Sequence, residues 1–159
     1  MARFRPLLIA SACYLYFAIP LAAQVGSAAI RPADGGAYFQ TLVNEAKTRI
    51  REIGADQLVT LQKATPSPVL VVVREDNEWD KVRIPGAIHV GRGVLEVKIE
   101  SRIPQKTTPI VVYCQGGGRA AVAADVLAKM GYTNVVWLAG GLAAYQAAGL
   151  PLDKSASPK

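Results

Sequence analysis

The chain has 159 residues, 19% of them charged and 51% hydrophobic, with a mean hydropathy of +0.22. That length holds one domain plus a short extra segment, and the composition excludes the disordered, collagenous and disulfide-rich classes. The 18 Lys and Arg outnumber the 12 Asp and Glu for a net charge of +6; no basic run is interleaved with aromatics, so the excess favours small anions over nucleic acid.

Residues 1–29 read as an address. Arg3 and Arg5 form a positive n-region, no charged side chain occurs from Pro6 to Ile30, and small residues Gly26-Ser27-Ala28-Ala29 close the run. This is the pattern of a secretory signal peptide, cut after Ala28 or Ala29. The alternative is an uncleaved anchor, since a span needs about 20 apolar residues. Either form predicts an exported domain, periplasmic or secreted, with membrane association only if the segment is retained. Without it Lys and Arg fall from 18 to 16 against 12 acids, and the net charge from +6 to +4. Cys13 lies in this segment, so the mature domain keeps Cys114 alone and has no internal disulfide.

Residues 30–52 form an extension whose helix runs from Ala37 to Arg51, with Asp34 as its N-cap and Tyr38, Leu42, Ala46 and Ile50 on the buried face. A second helix, Ala55 to Lys63, turns Leu58 and Leu61 inward and stops at Thr65-Pro66-Ser67-Pro68. Val69 to Val73 is a β-branched run, the mark of a strand buried on both faces. After the Pro85-Gly86 turn come a short strand at Ile88 to Val90 and a helix at Val94 to Ile103. Ile110 to Tyr113 is a further buried strand, and the helix Ala120 to Met130 ends on Gly131 as a left-handed cap. A strand at Val135 to Leu138 and a helix at Leu142 to Ala148 complete the domain, residues 53–152, ahead of a flexible tail at 153–159. Strands and helices alternate over short connections, which predicts an α/β fold: an open, mainly parallel sheet with helices on both faces.

The chemistry falls at one strand-to-helix junction, Tyr113-Cys114-Gln115-Gly116-Gly117-Gly118-Arg119-Ala120. Ligands bind at the carboxyl ends of strands in such sheets. A thiol there meets the N–H groups and dipole of a helix N-terminus, which favour its thiolate. Glycines let successive N–H groups converge on one anion, and Arg119 adds a permanent charge. Cys114 is therefore the candidate nucleophile, with Gln115, Gly116, Gly117, Gly118 and Arg119 as the substrate-binding loop. Gln115 is expected to point outward, towards donor or acceptor. Cysteine phosphatases place one residue more between Cys and Arg than the four here, Gln115 to Gly118. The smaller ring suits a single sulfur on the Cys and disfavours phosphate.

Over residues 53–152 the chain resembles the single-domain rhodaneses, a sulfurtransferase family. The loop Cys114 to Arg119 is similar to that family's active-site loop. Val73-Arg74-Glu75 with Glu78-Trp79, then Ile84-Pro85-Gly86-Ala87, resemble its first signature. Met130-Gly131-Tyr132-Thr133-Asn134-Val135 and Leu138-Ala139-Gly140-Gly141, ending at Ala148-Gly149-Leu150-Pro151, resemble its close. The resemblance implies a rhodanese-like sheet and transfer of a sulfane sulfur from a thiosulfate-like anion to cyanide or a thiol through a persulfide on Cys114. It implies no metal, no organic cofactor and no nucleic acid, and a monomer is expected. The alternative is a non-catalytic binding or redox-sensing module with an exposed, oxidisable Cys. Three departures stand out: Val72 replaces the family's usual Asp, Val82-Arg83 replaces its Gly-His, and the helix from Ala37 to Arg51 precedes the domain core as a family-variant extension or a docking surface. Among the remaining residues, His89 reads as a satisfied core or edge histidine, Arg74 as one half of a structural ion pair, and Arg83 and Arg92 as a solvated face. Trp79, Trp137 and Tyr145 read as packing.

Overall fold

The computed structural model describes residues 36–155. The expected targeting segment and Cys13 lie outside them, and the first helix takes Gly36, the residue directly before it, as its N-cap rather than the expected Asp34. Eleven elements follow in chain order: α1 (Ala37–Arg49), β1 (Glu52–Ile53), α2 (Ala55–Gln62), β2 (Val69–Val72), α3 (Asp76–Trp79), β3 (Ile88–His89), α4 (Leu95–Arg102), β4 (Ile110–Tyr113), α5 (Gly118–Lys129), β5 (Val135–Leu138) and α6 (Gly141–Ala147). The five strands are parallel throughout, in the order β1-β5-β4-β2-β3. The expected α/β architecture is therefore present, with β4 at the centre and every strand's carboxyl end on one edge.

Side-chain alternation divides the core. On β4, Ile110 and Val112 face one layer with Cys114 beyond them, while Val111 and Tyr113 face the other. The first layer is closed by α1, α4 and α5 through Val43, Ala46, Leu95, Ile99 and Leu127, and the second by α2 and α6 through Leu58, Leu142 and Tyr145. Each fully buried aliphatic side chain contributes about 1.5–3 kcal/mol. Helix α5 ends on Gly131 at φ +93°, with Gly131 N–H bonded to Ala128 and Tyr132 N–H to Leu127, which satisfies carbonyls the helix leaves open.

Three further expectations need correction. Helix α1 buries Val43 and Ala46, with Ile50 buried just past its end, and leaves Tyr38 and Leu42 exposed. A step of four residues overshoots a helical turn by about 40°, so a stripe drawn strictly four apart drifts off the buried face, whereas steps of three and four stay on it. Arg83 is not on a solvated face: it is 5% exposed. The tail is not free from its start either, because Asp153 and Arg83 form an antiparallel backbone bridge.

Candidate active site

Strand β4 ends at Tyr113, and Cys114 follows with 1% of its surface exposed. Tyr113 anchors the approach. Its hydroxyl accepts the Ile84 N–H at 3.1 Å, and burial pushes its ionisation up to about 12. Gly117 occupies φ +94° and sends its N–H to Cys114 Sγ at 3.1 Å. A Cβ on Gly117 would stand 2.9 Å from the Trp137 ring and 3.1 Å from Gly140 N, so position and backbone angle both require glycine.

The loop is held from behind by α6. Leu142 N–H donates to the Cys114 carbonyl at 2.8 Å, and Ala143 N–H to the Gln115 carbonyl at 3.0 Å. A planar trans peptide points its N–H opposite its carbonyl. Drawing these two carbonyls towards α6 therefore turns the N–H groups of Gln115 and Gly116 away from it, leaving donors for an anion. Gln115 and Gly116 are exposed, as expected of the mouth.

Arg119, in the first turn of α5, is gripped by Glu78 of α3: Nη1 to Oε2 at 2.7 Å and Nη2 to Oε1 at 3.0 Å. Glu75 stands 3.7 Å from the same guanidinium. The two-point bond from Arg119 holds the Glu78 carboxyl down to about 2, and the carboxylate in turn raises the proton affinity of Arg119. Glu78 takes Arg74 Nε at 3.3 Å as well and accepts the Glu75 N–H at 3.1 Å, tying α3 together. Glu78 thus orients the loop's cation through a fork-to-fork contact that favours one geometry.

The structure brings Cys114, Gly117 and Arg119 together as expected, with Arg74 in the ion pair expected of it. His89 is satisfied: its Nε2–H donates to the Arg74 carbonyl at 2.9 Å. Trp137 and Tyr145 are core residues, each 3% exposed, and Trp79 is half-buried. The binding-module alternative required an exposed thiol, and Cys114 is buried. Sequence reading missed Glu78 as the partner of Arg119. Its signal was available, an acid four residues beyond Arg74 and three beyond Glu75, at the start of a short helix.

Comparison with known proteins places this arrangement. The profile of the rhodanese-like domain family matches residues 54–148. A protein named sulfurtransferase from Allochromatium vinosum is 31% identical over 103 residues, 65% of this chain and 94% of that protein. The thiosulfate sulfurtransferase PspE of Escherichia coli is 33% identical over 70 residues, 44% of this chain and 66% of that one. The crystal structure of a thiosulfate sulfurtransferase from Pseudomonas aeruginosa superposes with a TM-score of 0.62 at 32% identity, covering 67% of this chain and 20% of that chain.

Proposed function

Because the chain belongs to the rhodanese-like family, and two members similar to it are named sulfurtransferases, we propose that it moves a sulfane sulfur from a thiosulfate-like donor to cyanide or a thiol through a persulfide on Cys114. The observation that carries this reading is the Gly117 N–H aimed at Sγ within a loop whose far end holds Arg119. In the first half-reaction the Cys114 thiolate attacks the outer sulfur of thiosulfate. The bond between the two donor sulfurs breaks, and sulfite leaves with the electron pair. The second sulfur extends the reactive atom by about 2 Å, from a buried position towards the exposed Gln115 and Gly116. There the free loop N–H groups and Arg119 neutralise its charge. Cyanide or a thiolate then attacks that terminal sulfur and departs as thiocyanate or a new persulfide, restoring the thiolate. Each step closes without metal or redox partner, a ping-pong cycle.

Thiosulfate as donor is supported by the name of a relative, the thiosulfate sulfurtransferase PspE, and by the small anion-binding ring of loop N–H groups. Export is supported by the n-region, apolar run and small residues of positions 1–29. The test is intact mass. Treatment with thiosulfate should add one sulfur, about 32 Da, and cyanide should remove it, as a reactive thiolate requires. In Cys114→Ser the gain should vanish with the melting temperature nearly unchanged. An undiminished turnover in Cys114→Ser would refute the mechanism.

A further inference from the structure

Residues 153–155 belong to the support of the active site. Arg83 and Asp153 exchange backbone N–H to carbonyl bonds of 2.9 Å in both directions. The Asp153 carboxylate accepts Arg83 Nε at 2.9 Å, and Ser155 accepts Nη2 through its carbonyl at 2.9 Å and its hydroxyl at 2.8 Å. Ser155 also fixes Asp153, its N–H and hydroxyl reaching Oδ1 at 2.8 and 2.6 Å. A charge as buried as Arg83 persists only with such partners.

So held, the Arg83 guanidinium lies over the Trp79 ring at 4.5 Å, and the His89 ring stacks on the same indole at 5.1 Å with 7° between the planes. Trp79 is the last residue of α3, and its neighbour Glu78 makes the two-point grip on Arg119. Each link is a contact whose geometry constrains the next.

We propose that Asp153 is a positioning residue for Arg119: it seats Arg83, Arg83 seats Trp79, and Trp79 sets the attitude of α3 from which Glu78 aims the guanidinium. Only the kinetic arm of the test rests on the sulfurtransferase reading. In the full chain, Cys114 is alkylated with iodoacetate and with iodoacetamide, and the rates are read on the Cys114 peptide by mass spectrometry. One reagent is an anion and the other neutral, so the ratio of rates reports the positive charge over the sulfur. Asp153→Asn should lower that ratio at least threefold, and Asp153→Glu should restore it to within twofold of the wild-type value. In a Glu78→Gln background, Asp153→Asn should add no further drop, because the two sites act in series. Thiosulfate KM should rise by a similar factor while kcat stays within twofold. A folded Asp153→Asn protein with an unchanged ratio overturns the proposal, and so does an equal drop in both backgrounds. If Asp153→Asn does not fold, Ser155→Ala decides: a lowered ratio supports the latch and an unchanged one refutes it. Absence of sulfur transfer in the wild-type protein would refute the sulfurtransferase reading, while the alkylation ratio would still judge the latch.

Discussion

At the scale of single residues, Arg119 is held by the carboxylate of Glu78. Its fork is engaged by Glu78, so its charge is held in one orientation at the end of the loop and partly neutralised. Charge-assisted hydrogen bonds contribute about 1.5–3 kcal/mol each. Loss of the guanidinium should therefore weaken donor binding by about 10- to 100-fold, with tenfold equal to about 1.4 kcal/mol. Arg119→Ala should show that rise in thiosulfate KM with a melting temperature lowered by only a few degrees. Arg119→Lys should recover little, because an ammonium cannot match the paired oxygens of Glu78. Steady-state kinetics of the two variants checks this; full recovery in the lysine variant would mean that charge alone, without the fork, suffices.

Among the elements, α6 does more than close the second layer. Its first N–H groups hold the Cys114 and Gln115 carbonyls, and Gly141 makes the approach possible. At φ +56°, a Cβ there would collide with the Cys114 carbonyl and stand 2.8 Å from that of Gln115. Gly141→Ala should cost about 2–4 kcal/mol, combining backbone strain with a broken loop contact, and should lower transfer by about 100-fold, as misplacement of a reacting group does. Gly149→Ala serves as the control. It shares the left-handed angle, φ +68°, but meets nothing within 4 Å, so it should cost about 1–2 kcal/mol and leave kcat unchanged. Denaturant melts and turnover separate the two. How much of this was legible in the sequence follows from how each feature is encoded. The runs Val69 to Val73, Ile110 to Tyr113 and Val135 to Leu138 announce buried strands by composition, and Cys114 to Arg119 announces the loop by residue type. Strand β1 is two residues long and exists through its pairing with β5, so no local run marks it. Helix α3 is a single turn fixed by Arg74, Glu75 and Glu78 rather than by an apolar stripe. The burial of Arg83 depends on Asp153 and Ser155, some seventy positions away, a separation that local patterning does not cross.

For the whole molecule, the acid limit is set chiefly by the two carboxyls lowered furthest among the described residues, Glu78 and Asp125, with Glu96 and Asp153 lowered as well. Hydrogen bonds from Arg119 bring Glu78 from an ordinary 4.5 to about 2, and bonds from Arg49 bring Asp125 from 3.8 to about 2. A carboxyl lowered on folding contributes stability that is complete above its unfolded value and lost as pH falls through the folded one. The melting temperature should hold level between pH 7 and about 5, then decline between about 4.5 and 2. A doubly substituted Glu78→Gln, Asp125→Asn protein should lose much of that slope; an identical acid decline would assign it to other groups. The strand order carries a separate consequence, for assembly during synthesis. Glu52 and Ile53 wait for Trp137 and Leu138 before they can pair, and the loop's rear supports, Leu142 and Ala143, are added later still. A ribosome that has just completed Cys114 therefore holds a thiol with neither its backing helix nor the seat of Arg83. The anion-binding geometry around the sulfur is completed only once these later residues have been added, and until then the nascent chain carries Cys114 as an ordinary thiol.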